Sequence, residues 1–188
     1  AAGLGLAAQY QQTGQVVICF FGDGALNQGE FHEAMNLASL WKLPVIFFLE
    51  NNFYGMGSHI DRTYAGGRNV YKAADHYRMP ARQIDGMDVL AVRQATLEVV
   101  ERVRSGAGPF FVEALAYRFR GHSMADPLEY RDKEEEERWK AVDPIARLRT
   151  QMLESGYSAQ ELEQEEAEVV REIEEAVAFA EKSPLPDP

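Results

Sequence analysis

Two short clusters, Gly22-Asp23-Gly24-Ala25-Leu26-Asn27 and Glu50-Asn51-Asn52-Phe53-Tyr54-Gly55, carry the residue types from which a site for a divalent cation and a phosphate-bearing ligand can be assembled. A hard cation such as magnesium takes about six oxygens in an octahedron, often with few of them from protein. The carboxylate of Asp23, the side-chain oxygen of Asn52 and the main-chain carbonyl of Tyr54 supply three. Two diphosphate oxygens and a water would complete the shell. Free N–H groups around Gly22, Gly24 and Ala25, close to a helix start, would cradle the phosphate, and glycine lets the backbone approach it. Each cluster alone is ordinary, since Gly-Asp-Gly is a common turn and Asn-Asn a common loop. Their pairing, with Asp23 and Asn52 29 residues apart and each cluster following a strand, is much more specific.

The elements that must position these residues are legible on either side of them. Val16 to Phe21 is a continuous β-branched and aromatic run, which predicts a strand buried on both faces. From Gln28 to Trp41 the apolar residues Phe31, Ala34, Met35, Ala38 and Trp41 recur at helical steps, and Pro44 follows the helix end. Val45 to Leu49 reads as a second buried strand, and right-handed crossover makes the two strands parallel. Both clusters then lie at the carboxyl ends of neighbouring strands, about 5–10 Å apart, where open α/β sheets bind ligands.

Upstream, Leu4, Leu6, Ala7, Ala8 and Tyr10 predict a helix that packs on something further N-terminal, so the chain is expected to begin inside a domain. Downstream, Asp88 caps a predicted helix carrying Val89, Val92, Ala95, Val99 and Val103 and ending near Ser105-Gly106. A strand is expected from Phe110 to Tyr117, then an aperiodic loop from Arg118 to Asp132 that contains Gly121, His122 and Pro127. Asp143-Pro144 opens a helix through Ile145, Leu148 and Met152 to Gly156. The last helix has a Ser158/Glu161 capping box, Tyr157 and Leu162 at staple positions, and a stripe of Val169, Ile173, Val177 and Ala180 running to Pro184.

Composition narrows the functional classes. An apolar fraction of 46% in 188 residues suits a globular domain with a sizeable core. No apolar run approaches the roughly 20 residues of a membrane span, and AAGLGLAAQYQQTG lacks a signal-peptide pattern, so the expectation is a soluble, intracellular protein. The net charge is −11, and residues 151–188 carry 11 acidic and 2 basic side chains, which argues against nucleic acid as a partner and reads as a solvated helix face. Cys19, the single cysteine, lies in VVICFF and is expected to be a packed thiol.

The stretch GDGALNQGEFHEAMNLASLWKLPVIFFLENNFYGMGS resembles the thiamine-diphosphate fingerprint, GDG followed by about thirty residues and NN, in the form found in the pyruvate dehydrogenase alpha-subunit family. DGMDVLAVRQAT, GPFFVEALAYRFRGHSMADP, Arg131 and DPIARL are similar to the same family, in order, so the resemblance covers nearly the whole chain. It implies a thiamine-diphosphate-binding α/β fold with a mostly parallel sheet flanked by helices over residues 1–132, incomplete at its N-terminus. A helical C-terminal extension, residues 133–188, would pack on the same domain. By this resemblance Asp23, Asn52 and the main chain of Tyr54 are magnesium ligands, and Gly22, Gly24 and Ala25 adjoin the diphosphate. His122 matches the loop histidine that contacts the diphosphate end of the cofactor and assists reductive acylation of the lipoyl group. Ser123 matches a regulatory phosphorylation site of mitochondrial relatives.

The same resemblance implies oxidative decarboxylation of pyruvate, with the acetyl group passed to a lipoyl domain of the acyltransferase core. A beta subunit would supply the glutamate that acts on the aminopyrimidine, in a heterotetramer outside which this chain is inert. The location implied is cytoplasmic in a bacterium, or organelle matrix or stroma in a eukaryote. A branched-chain 2-oxo acid or acetoin dehydrogenase alpha subunit would use the same anchor, and a non-catalytic binding module with an acidic docking tail is the reading from another class. No GxGxxG follows a strand, so a dinucleotide domain fits poorly. The other reading of His122 is a solvated loop histidine, and Arg118, Arg120 and Arg131 either contact an anion or are surface charge. Met56 either lines the cleft or packs, and His32, His59 and His76 lack ligand-like spacing.

Overall fold

The computed structural model describes residues 1–187, which form two compact units, one from Ala1 to Pro144 and one from Ile145 onward. In chain order the first unit contains α1 (Ala2–Tyr10), β1 (Val17–Gly22), α2 (Gly29–Leu40), β2 (Val45–Asn51), β3 (Tyr54–Gly55), β4 (Ser58–His59), α3 (Ile60–Thr63), β5 (Ala81–Asp85), α4 (Val89–Arg102), β6 (Phe110–Leu115) and α5 (Lys133–Lys140). Tight 3-10 turns occupy Asp23–Asn27 and Val70–Tyr77. The fold is α/β as the sequence predicts. Four parallel strands run in the order β1-β2-β6-β5, and β3 and β4 make a separate antiparallel hairpin.

Strand periodicity divides the core between the two faces of the sheet. Val45, Phe47, Leu49 and Phe111 face Phe31, Met35 and Ala38 of α2, while Ile46, Phe48, Phe110, Val112 and Ala114 face Val99 of α4 and Val103. β2 lies between β1 and β6, and five consecutive residues, Val45 to Leu49, are buried, as a strand covered on both faces requires. β1 departs from the expectation. It is the sheet's edge among the described residues, so its apolar run is only half-covered: Phe21 packs on Phe31 and Phe111, but Phe20 is 60% exposed. β5 at the opposite edge was not legible as a strand, because Ala-Arg-Gln-Ile-Asp lacks an apolar run. It is defined by pairing with β6.

The helices follow local rules. Asp88 accepts hydrogen bonds from the N–H groups of Leu90 and Ala91 and caps α4, and the chain then leaves the helix through Gly106 at φ 84°. The strand expected to reach Tyr117 ends at Leu115, where pairing with β2 and β5 stops. α1 forms, with Gly5 and Ala8 buried and Leu4 and Tyr10 exposed. The second unit takes up α6 (Pro144–Glu154) from Ile145 and α7 (Ala159–Lys182), which begins at the cap Ser158, whose hydroxyl and Glu161 make the capping box in both directions. Arg149 pairs with Glu166 within this unit, and Leu162 is buried. Val169, Ile173 and Val177 are each more than half exposed. No helix among the described residues is long and apolar enough to cross a membrane.

Candidate cofactor and metal site

Strand register brings the chemistry together. Gly22 at the end of β1 pairs with Glu50, and Asn51 at the end of β2 pairs with Leu115 of β6, so three chain segments leave the sheet at one edge. The first continues through the Asp23–Asn27 turn, the second through Asn52 to the β3–β4 hairpin, and the third through Ala116 to Arg118 and the loop. Between them lies a cleft of about 650 Å³ lined by Gly22, Asp23, Gly24, Ala25, Asn52, residues 54–56, Arg118 and His122. Every cofactor- and metal-binding residue proposed from the sequence therefore borders one cavity. Met56 borders it as well, and Ser123 does not.

The Asp23 side chain is 4% exposed. Burial pushes its carboxyl above the ordinary aspartate value. Hydrogen bonding to the backbone of residue 23 and of Asn52, and then the charges of Arg118 and His59, pull partly the other way. Among the described residues no Lys or Arg makes an ion pair with it. The carboxylate of Asp23 thus faces the Asn52 turn, in a place where its charge is incompletely compensated. Among the described residues no group of three His, Cys, Asp or Glu side chains is placed to hold a metal ion by itself. A cation here would be held by one carboxylate and by neutral oxygens, a donor set suited to a hard ion that keeps phosphate and water ligands.

The turn that presents Asn52 is built from side-chain to main-chain hydrogen bonds. The Phe53 N–H donates to Asn51 Oδ1 at 3.0 Å, and the Tyr54 N–H donates to Asn52 Oδ1 at 3.1 Å. Phe53 takes a left-handed φ of 67°. Gly24 and Gly55, from opposite walls, touch through their backbones: a Cβ on Gly24 would stand 3.3 Å from the Gly55 Cα, and one on Gly55 would stand 3.2 Å from the Gly24 Cα. Two glycines let the two loops meet. Gly55 as the steric partner of Gly24 was missed in the sequence, because nothing in the spacing shows which backbones touch.

The loop after β6 is tied to the cleft by a polar network. Arg118 donates through Nη2 to the Met56 carbonyl at 2.8 Å and to the Tyr130 hydroxyl at 3.1 Å, and its Nη1 lies 3.4 Å from His122 Nδ1. Asp126 accepts from the His122 N–H at 2.8 Å, from the Tyr130 hydroxyl and from the Leu128 N–H. These bonds, the Tyr130 hydroxyl first, bring the Asp126 carboxyl down to about 2. His122 itself is exposed at the mouth. Arg131 is buried, not surface charge. Its guanidinium lies 5.0–5.8 Å from the ring centres of Tyr117, Tyr54 and Tyr130, and Nη1 donates to the Arg118 carbonyl. The Tyr54 hydroxyl donates to Glu135 of α5, and burial with that carboxylate raises its pKa. Tyr54 therefore turns its ring into this cluster while its main chain borders the cleft. His59 stacks on Phe53 and accepts from the Asp61 N–H, a structural role that agrees with the sequence reading.

Comparison with known proteins adds a second line of observation. A family model described as dehydrogenase E1 component matches residues 1–188. The pyruvate dehydrogenase E1 component subunit alpha of Porphyra purpurea is 46% identical over 174 residues, covering 92% of this chain and 50% of that protein. The subunit of the same name from Zymomonas mobilis is 44% identical over 186 residues, 98% of this chain and 52% of its own. The testis-specific mitochondrial form from Rattus norvegicus is 43% identical over 188 residues, 98% of this chain and 47% of its own. The chain spans about half the length of the curated relatives it matches.

Proposed function

Because the chain belongs to the dehydrogenase E1 component family, we propose that it is the cofactor-anchoring part of a pyruvate dehydrogenase alpha subunit, binding thiamine diphosphate through magnesium. The observation that carries this reading is the buried Asp23 carboxylate, with no Lys or Arg ion pair among the described residues, facing the Asn52 turn across a cleft walled by the backbone of residues 22–25. Pyruvate is preferred to branched 2-oxo acids or acetoin because the relatives just described bear the name pyruvate dehydrogenase.

In this reading Asp23 gives the metal its one protein charge, and Asn52 Oδ1 and the Tyr54 carbonyl give neutral oxygens. Asn52 Oδ1 accepts one hydrogen bond, from Tyr54, and keeps a second lone pair for the cation. The N–H groups between Gly22 and Ala25 bind diphosphate oxygens. When bound, thiamine diphosphate supplies a carbon nucleophile and an electron sink for decarboxylation of a 2-oxo acid. Arg118 and His122 at the mouth offer cationic and imidazole N–H donors to the diphosphate end and to an incoming acyl acceptor. His122 is the chain's catalytic residue in acyl transfer to a lipoyl domain.

The aminopyrimidine-activating carboxylate comes from a beta subunit in a heterotetramer. Ser123 is a site of control. Its carbonyl accepts from the Asp126 N–H, so a phosphate on its hydroxyl brings a dianion beside the Asp126 carboxylate that holds His122. The test is co-expression of the full-length protein with its partner subunit, followed by decarboxylation assays on pyruvate, branched 2-oxo acids and acetoin. Turnover of pyruvate above the others is expected, and turnover of none would overturn the proposal.

A further inference from the structure

Directly behind the Asn52 turn lies a buried carboxyl group that does not border the cleft. Glu113, in the middle of β6, is fully buried. Its carboxylate is held by neutral donors: Asn51 Nδ2 donates to Oε1 at 2.7 Å, and the Tyr71 N–H and Gln83 Nε2 each donate to Oε2 at 3.0 Å. A carboxylate is costly to bury, and three donors from β2, β5 and the Val70–Tyr77 turn are what make it tolerable. The consequence for Asn51 is geometric. With its amide nitrogen committed to Glu113, its amide oxygen must face the other way, where it accepts the Phe53 N–H and holds that residue left-handed. The next residue is Asn52, whose own oxygen is placed by the same turn.

We propose that Glu113 is a positioning residue for the cation site, acting through Asn51 to hold the Asn51–Tyr54 turn in the form that presents Asn52 and the Tyr54 main chain. This rests on the reading of Asp23, Asn52 and Tyr54 as the metal anchor. Both Glu113 oxygens act as acceptors here, one for Asn51 and the other for Tyr71 and Gln83, so the Asn51 amide is held with its nitrogen towards Glu113. Glutamine cannot replace Glu113. The Tyr71 N–H is a fixed donor and Asn51 presents a second, whereas glutamine has one acceptor oxygen and an NH2 that meets a donor in either orientation.

The donor pattern supplies its own rescue. In the double variant Asn51→Asp/Glu113→Gln, the new aspartate accepts both from the Phe53 N–H and from the glutamine NH2. The glutamine oxygen accepts from Tyr71 and Gln83. Charge and hydrogen-bond count are kept with the polarity of one bond reversed. The experiment uses the full-length protein with its partner subunit and compares wild type, Glu113→Gln and the double variant. Amide exchange of residues 51–55 is followed without metal, and the magnesium midpoint for thiamine diphosphate binding by calorimetry.

Expected for Glu113→Gln is faster exchange in the turn and a magnesium midpoint raised by roughly 10- to 100-fold, the range seen when a partner behind a metal ligand is lost. The double variant should recover most of both. A Glu113→Gln protein that melts earlier but exchanges and binds magnesium as wild type does would overturn the proposal, as would a folded double variant that recovers neither. If Glu113→Gln does not fold, the double variant against wild type decides in the same way. Wild type that binds no cofactor with magnesium would sink the functional reading, while the exchange comparison would still decide whether Glu113 orders the turn.

Discussion

Asp23 is placed where an aspartate is least comfortable, and that discomfort makes a prediction of its own. Burial raises its pKa above 3.8, so its contribution to the stability of the metal-free fold is full below the unfolded value and is lost as pH rises through the folded one. Above its raised pKa and without metal the ionised carboxylate therefore opposes folding, and there Asp23→Asn should raise the melting temperature of the metal-free protein while removing magnesium-dependent cofactor binding. Scanning calorimetry with and without magnesium reads both effects, and a variant less stable than wild type in both states would contradict this. Protons compete with the cation for the same group, so magnesium affinity should fall as pH drops through the raised pKa. Asp126 has the opposite sign. Its carboxyl is lowered to about 2, so the stability it lends the His122 loop is present above 3.8 and lost as pH falls towards 2. Amide exchange at His122 and Leu128 should show that loss, and Asp126→Asn should show it already at neutral pH.

At the scale of elements, the site depends on loops whose backbones must meet and on helices that only hold the frame. Gly55→Ala puts a methyl 3.2 Å from the Gly24 Cα, and an overpacked contact of this kind costs about 1–3 kcal/mol, with cofactor affinity falling as the walls separate. Asp88→Ala removes the α4 cap and should cost about 1 kcal/mol in chemical denaturation with cofactor affinity unchanged, since Asp88 does not border the cleft. The contrast separates frame from site. The elements were legible in proportion to how local their causes are. α2, β2, the α4 cap and the α7 capping box were readable because periodicity, proline and side-chain caps act within a few residues. β5 was not, since a polar edge strand is specified by its neighbour β6, and the burial of β1 on both faces expected from its apolar run is only half met, because such a run does not show what covers it.

At the scale of the molecule, the metal and diphosphate residues were readable because a motif and its spacing fix which strand ends they occupy, and the register of β1, β2 and β6 then places those ends together. The supporting residues were not readable. Glu113 meets Asn51, Gly55 meets Gly24 and Arg131 meets Tyr54 across separations of 62, 31 and 77 residues, which no local pattern announces. The acidic second unit presents Val169, Ile173 and Val177 to solvent, an arrangement that agrees with a solvated charged face only in part. The central claim is that Asp23 and Asn52 hold a cation that pins a diphosphate. It is tested most directly by calorimetric titration of thiamine diphosphate into the full-length protein with its partner subunit, with and without magnesium, for wild type, Asp23→Ala and Asn52→Ala. Binding is expected only with magnesium for wild type, and weakened more than about 100-fold in each variant, because a ligand to the metal should matter more than a partner behind one. Wild-type affinity in both variants, or wild-type binding indifferent to magnesium, would contradict it.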